Sequence, residues 1–391
     1  MKIIHKLSIG ATLFALGLGS AAHAAETLKI GMVLPMSGPF SAYGQQILNG
    51  ARLYLGQNGN KLGDRPVELL VKDDTGVAPE ISKRAAQEFL VQDKVAILAG
   101  FGLTPSAFAV APLSATAKVP MVVMNAATSS ITTKSPYIVR TSMTLPQTTA
   151  PIATWAASNG IKKVYTVVAD FGPGHDAEKQ FVKTFTAAGG EIIGQVRTPV
   201  ANPDFAPFLQ KIKDSKPDAV FLFVPAGEQG VAFLKGYKER GLDTAGIRLI
   251  STGDLTDEDV IDAMGQAAVG VVTSMHYAEA HDSALNKAYT DSYYKAYPKK
   301  RPNFMSMAGY DGMHLIDAVL KKTGGDASGD KFIEAAKGLK LDSPRGAISI
   351  DPATRDIVQT IYIRKVERVG GKLQNVEFDH IPDFKDPGKQ Q

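Results

Sequence analysis

Apolar, β-rich runs alternate with amphipathic helical stretches from near residue 28 almost to the end of the chain. "LKIGMVL" precedes "QQILNGARLYLG", where Ile47, Ala51 and Tyr54 recur at three- and four-residue spacing. "VELLVKD" leads to "PEISKRAAQEFLV", "VAILAG" to "TPSAFAVAPLSATA", and "PMVVMN" through "AATSS" to "YIVRTS". A second series follows: "VYTVVAD", "EIIGQVR", "AVFLFVP" and "IRLIST", each with a helical segment behind it. Strands that are apolar throughout, separated by helices, predict parallel sheets covered on both faces. Two such series predict two α/β lobes, with no low-complexity linker between them.

In open parallel sheets, ligands bind beyond the carboxyl ends of the strands. The loops expected there are "PMSGPFSAYG", "GFGLTPS", "NAATSS", "DFGPGHD", "VPAGEQG" and "STGDLTDED". They are rich in Gly, Ser and Thr, and acids are sparse except in the last. That composition suits the holding of a small ligand better than catalysis. Neither GxGxxG nor GxxxxGK[ST] occurs, so a phosphate cradle is not indicated. In "GFGLTPSAF", Thr104 followed by Pro105 reads as a helix cap and first turn. A hydroxyl and free N–H groups at that point can accept a carboxylate, although capping alone would also explain Thr104. "NAATSS" offers a second cluster of hydroxyls after the next strand.

Composition then narrows the setting. Residues 1–24 carry Lys2 and Lys6, the apolar stretch "LSIGATLFALGLG" and a small-x-small "AHA" ending at Ala24, the pattern of a cleaved secretory signal. The apolar run is too short for a membrane span of roughly 20 residues. Cleavage after Ala24 would take 24 of the 391 residues and leave 367, enough for two domains. It would also remove two lysines and lower the formal charge from +4 to +2, which gives no reason to expect nucleic acid or an anionic membrane as partner. Cysteine is absent, so there is no disulfide framework, no Cys-based metal site and no lipid-anchoring thiol at the cleavage point. These features together lead to the expectation of a periplasmic protein without cofactor or metal.

"IGMVLPMSGPFSAYGQQILNGARL", "GFGLTPSAFAVAPL", "VPMVVMNAATSS", "YIVRTSMT" and "GYDGMHLIDAVLKKTG" together resemble the Leu/Ile/Val-binding protein family across nearly the whole mature chain. These are periplasmic receptors that feed ATP-driven (ABC) importers. The resemblance implies a type I periplasmic-binding fold: two Rossmann-like lobes joined by a three-strand hinge, closing on ligand. It places the crossovers near 141–144, 273–277 and 349–353. One lobe would be 25–142 plus 275–350, the other 143–274 plus 351–391. It implies a small-molecule carboxylate as ligand, a cognate membrane permease as partner, and a monomer. Carried over by position, Thr104, Ala126 and Thr128 would hold the ligand carboxylate. Asp254 matches a glutamate that pairs with a ligand ammonium, and Tyr310 a pocket tyrosine. Tyr43 stands where the family has a tryptophan lining the pocket.

Departures from the family pattern bear on the ligand. Phe171 replaces a tyrosine, another tyrosine near Ala226–Gly227 is replaced by something small, and the family's disulfide is missing. A roomier, more apolar site with a carboxylate clamp favours an aromatic acid of benzoate type, a class bound by some members of the family. Asp254 argues for an amino acid instead, unless its shorter side chain accepts a ligand hydroxyl or caps a helix. An exported hydrolase or a ligand sensor on the same fold are the further alternatives, but GxSxG and HExxH are absent. His175–Asp176 reads as the start of a helix, with Asp176 and Glu178 favouring its first turn. His276–Tyr277 reads as packing near a crossover, and "YPKKRP" as a solvated turn. Met305, Gly309, Met313, Ile316 and Leu320 form a core stripe with Tyr310 and His314 at its polar edge. Trp155 is expected in the core or on a lobe surface.

Overall fold

The structure, a computed structural model, describes residues 26–389; the signal segment expected over 1–24 lies outside them. The chain begins β1 (Leu28–Leu34), α1 (Ser41–Gln57), β2 (Lys61–Leu62), β3 (Arg65–Asp73), α2 (Pro79–Glu88), β4 (Ile97–Gly100), α3 (Thr104–Ala117), β5 (Met121–Val123) and β6 (Ile138–Arg140). Then come α4 (Leu145–Ser158), β7 (Lys163–Ala169), α5 (Gly172–Ala187), β8 (Glu191–Thr198), α6 (Ala206–Ser215), β9 (Ala219–Phe223), α7 (Glu228–Glu239), β10 (Arg248–Thr252), α8 (Ile261–Met264) and β11 (Val272–Met275). The last third comprises α9 (Ala284–Ala296), α10 (Phe304–Thr323), α11 (Gly329–Ala336), β12 (Lys340–Ser343), β13 (Gly346–Ile350), β14 (Ile357–Val369) and β15 (Lys372–Phe384).

The strands form two sheets. The first has the order β2-β3-β1-β4-β5-β6 and is parallel apart from the β2–β3 hairpin. Its register sets Ile30 between Leu69 and Ile97. Because side chains alternate across a strand, Ile30, Met32, Ile97 and Val122 face one apolar layer, while Val33, Leu98, Met121 and Val123 face another with Phe89, Val110 and Ala111. The second sheet runs β12-β13-β14-β11-β10-β9-β7-β8, with β15 added on β14. Its β7–β11 part is parallel, and Tyr165, Val167, Val220 and Leu222 pack with residues of α6 and α7. The antiparallel addition β12–β15 departs from the purely parallel sheets read from the alternation pattern. Two α/β units, each with apolar layers on both sheet faces, make up the expected type I periplasmic-binding fold.

The chain crosses from one sheet to the other between β6 and α4, returns after β11 to pack α10 on α1, and crosses again before β12. β12 and β13 hydrogen-bond in the second sheet. The third crossing thus precedes β12, upstream of the 349–353 that the resemblance implies, and we propose that β12 and β13 form the seam between the first lobe (25–142 plus 275–350) and the other (143–274 plus 351–391). Of the residues read as surface, Arg301 in "YPKKRP" is largely buried: it pairs with Glu279 at 2.6 Å and with Asp262 at 3.1 Å. Trp155 lies at a lobe surface, edge-on to Phe378 and under the Arg248 guanidinium at 5.1 Å.

The stripe Met305, Gly309, Met313, Ile316 and Leu320 is buried as expected. Gly309 is there for closeness: a Cβ on it would stand 2.0 Å from the Ile47 carbonyl oxygen of α1. Gly309→Ala is therefore expected to destabilise the protein by about 1–3 kcal/mol through forced separation of α1 and α10, read as a lower urea midpoint. An unchanged midpoint would contradict the close-packing role.

Candidate functional site

Six strand-end loops, three from each sheet, meet around a slot of about 30 Å³. The first sheet contributes Tyr43 on α1, Thr104 at the start of α3, and Asn125 and Ala126 after β5. The second contributes Phe171 before α5, Phe223 at the end of β9, Pro225 after it, and Asp254 after β10. Met143 and Leu145 of the first crossover line it as well. This is where the topology of parallel sheets places ligands.

Two hydroxyls stand at the polar end, Thr104 in the lining and Thr128 behind it. Thr104 Oγ1 and Thr128 Oγ1 lie 3.0 Å apart, both residues buried. The structure corrects the reading of Thr104 as a cap: α3 starts at Thr104 itself, Leu103 holds the cap position, and no side chain caps the helix. The hydroxyl is therefore turned to its threonine partner. Pro105 has no N–H, and the first ladder bond runs from Ala107 N–H to the Leu103 carbonyl. The Thr104 and Ser106 N–H groups precede that ladder, as at any helix start. The N-terminus of α5 arrives from the other sheet. Gly172 makes the approach possible, since a Cβ there would stand 2.8 Å from Thr128 Oγ1. Two helix N-termini thus converge on one hydroxyl pair, each bringing partial positive charge.

Ala126 lines the slot, but its N–H donates to the Phe101 carbonyl at 2.9 Å, so that donor belongs to the fold. Phe101 is held at φ +64, an uncommon conformation for a bulky residue, between this bond and its own N–H to Val33. The loop is further held by Arg140, which donates to the Thr128 carbonyl at 2.8 Å and to the Met143 carbonyl at 3.0 Å.

Aromatic and acidic groups form the rest. Phe171 stacks on Phe223 with ring centroids 6.2 Å apart and planes 19° from parallel. Tyr43 reaches across and donates to the Ala226 carbonyl at 3.2 Å. Asp254 is buried and accepts from Thr252 Oγ1 at 2.8 Å. Loss of hydration raises its carboxyl to about 6, against which the Thr252 bond and the Arg364 charge act weakly.

Tyr310 is not brought to the slot. Its hydroxyl donates to Gln57 at 2.9 Å and its ring meets Tyr54 edge-on at 5.0 Å, on the far part of the α1–α10 contact. Asp176 and Glu178 are also not first-turn residues of α5: Asp176 accepts from the Ser129 N–H at 2.8 Å, and Glu178 pairs with Arg197 at 2.6 Å. His276 is fully buried against Phe304, as packing requires. Sequence reasoning missed Asn125, whose Nδ2 donates to the Gly102 carbonyl at 2.7 Å while its buried Oδ1 has no partner. It also missed Met143, Phe223 and Pro225, which read as strand-end or crossover residues with no distinguishing pattern.

Two α/β units closing on a slot at their strand ends define a cleft-type solute-binding protein. Residues 27–372 match the family model described as "Periplasmic binding protein". The chain is 45% identical over 373 residues to Leu/Ile/Val-binding protein homolog 6 of Brucella melitensis, covering 95% of this chain and 96% of that one. Among solved structures it is similar to the ABC-transporter solute-binding protein from Rhodopseudomonas palustris BisB5 in complex with 3,4-dihydroxybenzoic acid, at 54% identity and TM-score 0.90, covering 93% and 99% of the two chains. The corresponding protein from R. palustris HaA2, in complex with p-hydroxybenzoic acid, is 45% identical with TM-score 0.91, covering 94% and 100%. The chain belongs to the periplasmic binding protein family. Among the described residues no helix is long and apolar enough to cross a membrane.

The raised Asp254 carboxyl carries a stability cost that is present above its folded value near 6 and vanishes below the unfolded value near 3.8. Asp254→Asn is thus expected to stabilise the ligand-free protein at pH 8 by on the order of 2–3 kcal/mol. The gain should fade as pH drops towards 4. Thermal midpoints of both proteins across that range check this, and a gain that grows on acidification would refute it.

Proposed function

We propose that this protein is the periplasmic receptor of an ABC importer that closes on a small aromatic monocarboxylate, with ring-hydroxylated benzoates as the best class. The observation that carries the reading is the slot itself, with a buried hydroxyl pair between two helix N-termini at one side and stacked aromatic rings beside it. In a water-excluded slot, hydrogen bonds from Thr104, Thr128 and free N–H groups to a carboxylate are charge-assisted and strong. Phe171, Phe223 and Tyr43 offer faces and edges for a flat ring. Asp254 and the unpartnered Asn125 Oδ1 supply acceptors for a donor on the ligand, which a phenolic hydroxyl provides. The relatives in complex with hydroxybenzoic acids support the same ligand class. Tyr43, Thr104, Ala126, Thr128, Phe171 and Asp254 are proposed as ligand contacts. Tyr310 would act only through the packing of α10. The partner proposed is the cognate membrane permease, met by the ligand-closed receptor as a monomer.

Asp254 also keeps an amino-acid ligand in view, since an ionised aspartate at this position can pair with an ammonium. The homologues named as Leu/Ile/Val-binding proteins give that second reading its support.

Calorimetric titration of protein refolded free of carried-over ligand separates the two. 4-Hydroxybenzoate should bind and leucine should not, and Asp254→Asn should weaken the aromatic acid far less than loss of an ammonium partner would. The double variant Thr104→Ala/Thr128→Ala should lose about 2–5 kcal/mol of binding while keeping its fold. Unchanged affinity in that variant would remove the carboxylate assignment.

A further inference from the structure

Outside the slot lies a vestibule of about 330 Å³, eleven-fold larger by the same measure and of different chemistry. Tyr43 lines both chambers, and its hydroxyl donates to the Ala226 carbonyl of the other unit. On the vestibule wall, Gln46 is only 2% exposed and its amide Nε2 has no partner. The orientation of that amide is set from behind. Asn49 Nδ2 lies 3.5 Å from the Tyr293 hydroxyl and donates to it, and Tyr293 in turn donates to Gln46 Oε1 at 2.9 Å. The oxygen is satisfied and the N–H pair is left buried without a partner, in a residue that lines the chamber. A buried donor without an acceptor costs free energy, which an acceptor from outside the chain would remove.

The other polar groups on the wall define which acceptor. Asp257 takes two bonds from Asn303 Nδ2, at 3.1 and 3.0 Å, and burial together with the adjacent Glu258 keeps its carboxyl well above the usual range. Glu228 and Asp259 add negative charge, offset in part by Lys300 at 3.7 Å from Asp259. An anionic group would be repelled here, whereas an uncharged oxygen acceptor would not.

We propose that the vestibule is a second subsite, which receives the uncharged, hydrogen-bond-accepting end of an aromatic monocarboxylate too long for the slot, with Tyr43 as the divider between them. This rests on the reading of the slot as the carboxylate site. The divider makes the protein permissive in length but selective in charge. A para-extended acid pushes Tyr43 from Ala226 and places its far carbonyl on Gln46. A second carboxylate at the same place faces Glu228 and Asp259.

Calorimetry with three probes tests this: 4-hydroxybenzoate, 4-acetamidobenzoate and terephthalate. The refolded wild type should bind the first two within about tenfold of each other, and terephthalate at least ~100-fold more weakly. Gln46→Leu should weaken 4-acetamidobenzoate by ~5–10-fold and leave 4-hydroxybenzoate unchanged. Tyr43→Ala, which removes the divider without touching Gln46, should shift preference towards 4-acetamidobenzoate. Equal losses for both monocarboxylates in Gln46→Leu, or wild-type binding of 4-hydroxybenzoate without 4-acetamidobenzoate, would overturn the subsite. Terephthalate binding as tightly as 4-hydroxybenzoate would overturn its charge selectivity. If neither monocarboxylate binds the wild type, the slot reading itself falls and the subsite with it.

Discussion

Much of the structure around the slot depends on one fully buried guanidinium, that of Arg140. A charge taken out of water must find partners for its donors or it destabilises the fold. Arg140 finds them in three places: the Thr128 carbonyl, the Met143 carbonyl and an ion pair with Asp356 at 3.1 Å, a carboxylate that Lys389 also pairs with. Those partners belong to the loop after β5, the first crossover and the turn before β14. The planar fork of arginine can bind several acceptors in fixed directions, which a lysine could not reproduce. Burial lowers the Arg140 pKa to about 10, still far above neutrality, so the charge and its demands persist at physiological pH. The loop that carries Thr128 is thus set by the needs of a cation behind it before any ligand arrives.

A second arginine does for the seam what Arg140 does for the loop. Arg345, in the turn between β12 and β13, lies 2.8 Å from Asp311 on α10 and donates to the Thr141 carbonyl and to Gln359. One end of this network is therefore on a helix packed under the first sheet, and the other on strands of the second. Around it, Thr141 Oγ1, Ser142 Oγ and both ring nitrogens of His276 are buried without protein partners. Arg345 thus bonds across the seam among these unpartnered groups. The cores on either side carry no such groups in β1, β5 or β9, where apolar residues are fully buried. Rigid cores with a polar seam are the arrangement that allows lobes to move as bodies.

The sheets and their order of helices were legible because strand and helix alternation is a period signal, and a period survives whatever the side chains do later. Ile47, Ala51 and Tyr54 on α1 and Met313 and Leu320 on α10 are buried where that period puts them. The antiparallel strands β12–β15 were not legible, because their pairing depends on long-range register and not on local pattern. The candidate site shows the same division. Thr104, Thr128, Phe171 and Asp254 sit in strand-end loops, so topology alone brings them to one end of the sheets. Tyr310 sits mid-helix, where a one-residue offset from the core stripe turns it to Gln57 and away from the slot. Asp176 could not be separated from a helix-start acid by sequence, since its partner Ser129 is 47 residues away.

The Asp176–Ser129 bond ties the two units together directly beside the hydroxyl pair. Ser129 follows Thr128 directly, and its N–H reaches a carboxylate on α5 of the other unit. Its hydroxyl meanwhile donates to Asp386 at 2.5 Å, and Asp386 also accepts from Thr144 at the crossover. Burial raises the Asp176 carboxyl, and the Ser129 bond and the Arg140 charge oppose that rise. A carboxylate bound at Thr104 and Thr128 would draw the N-terminus of α5 to the same spot, as helix N-termini attract anions. Ligand and latch then stabilise one geometry from opposite sides of residues 128 and 129.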